Sequence, residues 1–242
     1  MDFPNESPAY RAAREKLLEM EIEERRAIEA LAAVRRALPP GGLLKEDYVF
    51  EGAGADGVVK KVKLSELFAP GKDSLLVYNF MFPRDPTDDR PPSTAPSTRR
   101  LMLLEQPCPS CVALLDQLDG AARHVGENTN FVVVAKTSAP TLLAFGKERG
   151  WKFLRLLSSA GNSFKRDYHG EEATGEQRPM LNVFQRQGKE IRHFWSSEML
   201  YAPSDPGQDP RHNGMLEPLW NLFDFTREGR PMEWNEQLSY PG

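Results

Sequence analysis

The sequence predicts an α/β sandwich preceded by one long helix. Beyond residue 74, strand-like and helix-like runs alternate and end in a hairpin, which is typical of a sheet covered by helices. The chain has 242 residues, 40% of them apolar, and this is enough to bury a substantial core. We expect a helical extension over residues 1–42, one domain over residues 43–230 and a tail over residues 231–242.

The N-terminal helix is predicted over residues 8–38, which are rich in Ala, Leu, Glu and Arg and are followed by two prolines and two glycines. Its apolar residues alternate spacings of four and three, with one charged interruption. This pattern is typical either of an amphipathic helix that packs on its own domain or of a helix that joins two copies into a homodimer. The positions of this seam are Ala13, Leu17, Met20, Glu24, Ala27, Leu31, Val34 and Leu38.

A hairpin and a buried strand are predicted next. Residues 48–50 and 58–64 are strand-like and flank the turn dipeptide Asp56-Gly57. Residues 74–82 form an apolar run without clean alternation, as expected for a central strand that is covered on both faces. The end of this strand leads toward the cysteines.

Residues 83–100 are a low-complexity stretch with five prolines among Asp, Arg, Ser and Thr. Such a composition cannot bury enough apolar surface to order itself. The stretch is therefore interpreted as a flexible insertion, with a substrate-selecting lid beside the cysteines as the alternative, because long loops are often functional.

The second half of the chain supplies the remaining elements of the sandwich. Its last two strands flank Gln187-Gly188-Lys189 and form a hairpin. The predicted helices cover residues 109–123, 141–149, 163–169 and 215–226, and the predicted strands cover residues 131–135, 153–158, 180–185 and 190–195.

Charge and hydropathy argue against two classes of partner. A formal net charge of −4 lacks the basic excess that holds a nucleic acid backbone. The longest apolar runs are strand-sized and fall short of the roughly 20 residues that cross a bilayer. The N-terminus has neither the basic start nor the apolar stretch of a secretory signal, which predicts a cytoplasmic protein without a nucleic acid or membrane partner.

The two cysteines of the chain stand three residues apart, in Cys108-Pro109-Ser110-Cys111. In a reducing compartment, such a pair is more often redox-active or metal-binding than a structural disulfide. Pro109 suits the first turn of a helix, and a cysteine at a helix start is stabilised as the thiolate. We expect Cys108 to be the exposed nucleophile and Cys111 to resolve the mixed disulfide.

Two other interpretations of the cysteines remain open. A zinc site needs about four ligands, and the remaining candidates are not paired at ligand spacing. These candidates are His124, His169, His193 and His212. The chain could also be a non-catalytic interaction or scaffold protein whose cysteines are idle.

A second marker lies far along the chain. Arg178-Pro179 followed by residues 180–184 and Gly188 resembles the thioredoxin segment in which a cis-proline opens a strand and a turn returns the chain antiparallel. Together with the cysteine pair, it resembles the thioredoxin-superfamily branch of thiol reductases and peroxiredoxins. A peroxiredoxin has Thr or Ser three residues before its reactive cysteine, whereas this chain has Glu105, so a thiol peroxidase is the weaker alternative.

A closer resemblance is to the family called domain of unknown function 899, whose members are predicted dithiol-disulfide oxidoreductases with a thioredoxin-like fold. Residues 83–100 lengthen a connection that is normally short in that family. The resemblance lies in Ala13-Arg14-Glu15-Lys16-Leu17-Leu18, Arg35-Arg36-Ala37-Leu38-Pro39, Tyr48-Val49-Phe50, Tyr78-Asn79-Phe80-Met81-Phe82, the cysteine motif, Ser158-Ser159-Ala160-Gly161-Asn162, Leu222-Phe223-Asp224-Phe225-Thr226 and Gly229-Arg230.

The resemblance implies a thioredoxin-like three-layer sandwich with an N-terminal hairpin, in which the cysteine pair works without a cofactor or metal. It makes Cys108 the nucleophile and Cys111 the resolving thiol, with Pro109 and Ser110 between them. Pro179 becomes a cis-proline that shapes the groove for a disulfide-containing protein or small thiol substrate, with Arg178 beside it. A trans bond at Pro179 is expected to end the thioredoxin-like assignment.

Overall fold

The structure is a computed structural model that describes residues 3–208, 217–226, 231 and 233–239. The chain divides into two compact units, Met1–Gly41 and Gly42–Gly242. Part of the predicted helix over residues 215–226 and of the predicted tail lies outside the described residues.

The first unit contains helix α1, Pro8–Arg36, which confirms the predicted long helix. Ser7 caps its start, because the Ser7 side chain accepts a hydrogen bond from the backbone N–H of Tyr10. Basic residues occupy its last turn, where they complement the helix dipole. All of α1 is described, and none of its residues is buried.

The second unit is built on one seven-stranded sheet of order β2-β1-β5-β4-β3-β6-β7. Its helices are α2 (Pro109–Val125), α3 (Ala139–Arg149), α4 (Phe164–Asp167) and α5 (Pro218–Asp224). Its strands are β1 (Val49–Ala53), β2 (Val59–Lys63), β3 (Ser74–Phe80), β4 (Asn130–Ala135), β5 (Arg155–Ser158), β6 (Met180–Gln187) and β7 (Glu190–Ser196).

The strand pairing has the thioredoxin-like arrangement. β3 and β4 are parallel neighbours joined through α2, while β6 runs antiparallel to β3 and β7 antiparallel to β6. The hairpin of β1 and β2 extends the other edge of the sheet through β5. The predicted fold class is therefore confirmed, including the N-terminal hairpin and the long helix.

The side chains of the buried strand β3 contribute to the apolar clusters on both faces of the sheet. Leu75 and Val77 belong to one apolar cluster, which also contains Phe164 of α4. Tyr78 and Phe80 belong to the other cluster, which includes residues of α2 and α3. Because successive side chains of a strand point to opposite faces, the apolar run of β3 serves both clusters.

Among the described residues, no helix combines the length and the apolar character that crossing a bilayer requires.

Candidate dithiol site

The two cysteines lie where α2 begins, at the end of the sheet to which β3 leads. Cys108 immediately precedes the first helical residue, Pro109. The backbone N–H of Cys108 donates to the carbonyl of Met81 at 2.9 Å, just beyond the end of β3. This bond fixes the helix start against the central strand, which agrees with the prediction that the end of β3 leads toward the cysteines.

Both thiols are free and almost fully buried: Cys108 is 5% exposed and Cys111 3% exposed. The prediction that Cys108 is solvent-exposed is therefore wrong. Arg90, from the proline-rich stretch, and Glu236, near the C-terminus, both bind Ser110 and pack against the start of α2. Neither contact can be recognised from the four-residue motif alone.

The environment of Cys108 favours its thiolate. A hydrogen bond from the Cys111 side chain is the largest influence, and it lowers the pKa of Cys108 below its ordinary value against the opposing effect of burial. The backbone N–H of Cys111 and the charge of Arg90 lower it further. An acidic nucleophile at the helix start is what the first step of disulfide exchange requires.

The environment of Cys111 has the opposite effect. Burial raises the pKa of Cys111 well above its ordinary value, and the neighbouring Cys108 raises it further. Hydrogen bonds from Tyr78 and from the backbone of Met81 oppose this rise. Burial likewise raises the pKa of Tyr78, so its hydroxyl remains a proton donor toward Cys111.

Arg90 connects the proline-rich stretch to the cysteine pair. Its Nη2 donates to the sulfur of Cys108 at 3.5 Å and its Nη1 donates to the hydroxyl of Ser110 at 2.7 Å. Asp88 holds the guanidinium in place through Nε at 2.9 Å and Nη2 at 2.8 Å. Sequence reasoning missed Arg90, although an arginine within a long loop that leads into the cysteine motif was an available signal.

A second arginine of the same stretch, Arg84, is also buried beside the site. Its Nη1 donates to the carbonyl of Arg90 at 2.9 Å and lies 3.8 Å from Asp88. Its Nε and Nη2 are buried without a hydrogen-bond partner. Part of the stretch is thus packed against the dithiol, whereas its predicted flexibility and its role in substrate selection stay predictions.

Ser110 is occupied by two partners, because it accepts from Arg90 and donates to Glu236 Oε2 at 3.0 Å. Glu236 also lies 3.6 Å from Arg90 Nη1 as an ion pair. The Glu236 side chain is itself buried, and it is separated from Ser110 by 126 residues. No local sequence pattern indicates such a contact.

Pro179 has a trans peptide bond, so the prediction of a cis-proline at this position is wrong. The described cis bond lies at Phe82–Pro83. The chain reaches β6 from a turn in which the N–H of Arg178 donates to the carbonyl of Gly170 at 3.0 Å. The segment then continues directly into β6, and no sharp reversal is needed. The thioredoxin-like assignment nevertheless stands, because it follows from strand order and pairing.

Arg178 lies on a neighbouring cleft of about 950 Å³. It forms an ion pair with Glu172 at 3.0 Å and stacks over the ring of Tyr201 at 5.5 Å. Tyr201 also lines this cleft and donates a hydrogen bond to the carbonyl of Pro179. The cysteines are not among the lining residues, so the structure does not place Arg178 in contact with the thiols.

Across the described ranges, there is no group of three or more His, Cys, Asp and Glu side chains that could hold a metal ion.

Comparison with solved structures finds peroxiredoxins. A peroxiredoxin-like protein from Aquifex aeolicus shares 13% identity, with 66% of this chain and 75% of that chain covered and a TM-score of 0.41. Thioredoxin peroxidase I of Plasmodium yoelii shares 18%, with 82% and 100% covered and a TM-score of 0.43. Plasmodium vivax 2-Cys peroxiredoxin shares 16%, with 81% and 90% covered and a TM-score of 0.45. Because these TM-scores are below 0.5, the likenesses establish nothing about activity.

No curated protein matches the chain. The model of one family matches residues 2–240, which is nearly the whole sequence, and the family is described as "Bacterial protein of unknown function (DUF899)". The protein thus belongs to the DUF899 family.

Proposed function

We propose that the protein is a thiol–disulfide oxidoreductase that uses Cys108 and Cys111 as its reacting pair. The observation that carries this proposal is the opposite effect of the site on its two sulfurs. The pKa of Cys108 is lowered, chiefly by the hydrogen bond from Cys111, and the pKa of Cys111 is raised by burial. One thiol is prepared to attack, while the other stays protonated until it is needed.

The reaction proceeds in two exchanges. The thiolate of Cys108 attacks one sulfur of a substrate disulfide, forms a mixed disulfide and releases the first substrate thiolate. Cys111 then loses its proton and attacks the Cys108 sulfur, which forms the Cys108–Cys111 disulfide and releases the second substrate thiol. The pair gives two electrons to the substrate, and an external thiol reductant restores it.

The start of β6 is the proposed substrate-binding edge. In the antiparallel pairing of β6 with β3, Met180 lies opposite Asn79. Pro179 immediately precedes Met180, so it lies at the same end of the sheet as Met81 and Cys108. We propose that Arg178 and Pro179 contact the substrate from this edge. Pro109 and Ser110 would contact it from the start of α2.

The test is a titration of free thiols before and after mild oxidation, followed by measurement of the reduction potential against glutathione. The proposal expects a reversible loss of two thiols and a potential below about −220 mV, which suits a reductase in the cytoplasm. An unchanged thiol count would favour the scaffold interpretation. A potential near about −120 mV, that of strong oxidants, would contradict the cytoplasmic setting.

A thiol peroxidase is the second candidate function, and comparing the rates of peroxide consumption and disulfide reduction tests it. Glu105, at the position that holds a hydroxyl in peroxiredoxins, is exposed, and its carboxylate accepts from the N–H of Met102 at 3.2 Å. It therefore gives no polar activation at Cys108. Consumption of peroxide faster than reduction of a disulfide would overturn the order of the two proposals.

We further propose that α1 joins two copies of the chain through its heptad-like seam. Leu17 is 42% exposed and Leu31 is 58% exposed on this seam. Replacing both with Glu is expected to convert a dimer into a monomer, because buried charge opposes apolar packing at such positions. Light scattering measures the change, and Ala33→Glu, outside the seam, is the control. A wild-type protein that is already monomeric would remove the basis for this proposal.

A further inference from the structure

Lys165 of α4 is a buried cation that no sequence pattern singled out. It is 1% exposed, and its Nζ donates to the carbonyl oxygen of Phe80 at 2.8 Å. No carboxylate of the described residues forms an ion pair with it. An ammonium has three donors, and burial without an anionic partner is costly, so its position requires an explanation.

The local chain fixes Lys165 against the end of β3. The N–H of Gly170 donates to the carbonyl of Lys165 at 2.6 Å, which closes the turn after α4. Gly170 also lies against Asn79, because a Cβ built at Gly170 would be 2.5 Å from Asn79 Nδ2. Only glycine permits this close approach, and the approach holds the lysine beside Phe80.

One peptide unit connects Lys165 to the resolving cysteine. The carbonyl of the Phe80–Met81 peptide accepts from Lys165, and the backbone of Met81 bonds the sulfur of Cys111. This peptide is trans, so its carbonyl and its N–H point in opposite directions. A cation on the oxygen polarises the amide and strengthens the hydrogen bond that its N–H makes on the other side.

The charged groups that face Lys165 are few. Burial lowers the pKa of Lys165 to about 7, and an anion at Cys111 or Glu171 raises it, whereas Lys136 lowers it. Glu171 is already paired with Lys136 at 2.5 Å. Cys111 is therefore the remaining facing group whose charge can change during the reaction.

We propose that Lys165 is a positioning residue for the second exchange, in which its ammonium stabilises the thiolate of Cys111 through the Phe80–Met81 peptide. This inference rests on the proposed function. Lys165 keeps its own proton in this step, so the charge of the ammonium offsets the charge that forms on Cys111. The proton that Cys111 loses is taken up by the departing substrate thiolate when the Cys108–Cys111 disulfide forms.

The experiment separates the two exchanges with one equivalent of an aromatic disulfide whose released thiol is coloured. The first release reports the attack by Cys108, and the second, which is independent of reagent concentration, reports the attack by Cys111. Lys165→Met is expected to leave the rate of the first phase within about twofold of the wild-type rate. It is expected to slow the second phase about tenfold near neutral pH. The reason is that a rise of about one unit in the pKa of Cys111 leaves about one tenth as much of its thiolate near neutral pH as in the wild type.

The pH profile gives a readout that a purely structural role would not change. The second phase of Lys165→Met should reach its maximum at higher pH than that of the wild type, and Lys165→Arg should restore part of the shift. Lys147→Met, the same change at an exposed position of α3, is the control. Removal of an unpaired buried charge should not reduce stability, and urea unfolding checks this.

The possible failures are distinguishable. If the wild type releases no second thiol, the proposed function itself fails. If the wild type shows both phases and Lys165→Met has the same second phase and the same pH profile, the role of Lys165 is overturned and the proposed function is retained.

Discussion

Replacing Cys108 with Ser is expected to abolish disulfide reduction, lowering the rate by at least about 10³-fold, because the hydroxyl is not ionised at neutral pH and cannot replace the thiolate. Replacing Cys111 with Ser should instead leave the first exchange intact and stop the reaction at the mixed disulfide. Mass spectrometry of the protein after reaction with a small disulfide measures the accumulated adduct on Cys108.

The two variants control each other, since they lie one helical turn apart and remove the same atom. Both should unfold at similar urea concentrations, because each replaces one buried sulfur in the same cluster. An adduct that forms on Cys111 in the Cys108→Ser variant at the wild-type rate would reverse the assigned roles.

Replacing Arg90 with Met is expected to raise the pKa of Cys108 and to slow alkylation of Cys108 about tenfold near pH 6 to 7. The sign follows from the charge: the guanidinium favours the thiolate, so its loss favours the thiol, which does not react. Above about pH 10 both proteins carry the thiolate and the rates should converge. Alkylation with a limiting reagent, followed across this pH range, measures the shift.

Arg100→Met is the matched control, because Arg100 belongs to the same proline-rich stretch and is exposed. The pH profile also distinguishes the effect of the Arg90 charge from steric shielding of the Cys108 sulfur by the Arg90 side chain. If Arg90 acted only by shielding the sulfur, Arg90→Met would react faster than the wild type at every pH, and the assignment of Arg90 as the activating cation would be lost.

The fold could be predicted from the sequence because its determinants are local. The apolar run of β3, the glycine-free helix α1 and the turn between β6 and β7 are each visible within about ten to thirty residues. The cysteine pair was visible for the same reason. Its neighbours were not, since 18 residues separate Arg90 from Cys108 and 85 separate Lys165 from Phe80.

The wrong prediction at Pro179 has a related cause. The isomer of a proline bond depends on the path by which the chain arrives, and here the hydrogen bond from Arg178 to Gly170 sets that path. Sequence similarity to a motif identified the strand that follows but contained no information about the turn that precedes it. Glu236, which accepts a hydrogen bond from Ser110 between the two cysteines, is likewise far along the chain from the motif.

The near-complete burial of both sulfurs has a consequence for how catalysis should be timed. A thiol that is 5% exposed reacts only when the side chains above it move aside, so each encounter needs an opening motion before any bond changes. At low reagent concentration the rate grows with concentration, whereas at high concentration it levels off at the frequency of opening. A small disulfide needs only a small opening, whereas a protein substrate needs a wide one. The limiting rates for the two substrates would therefore differ even though the same sulfur attacks both.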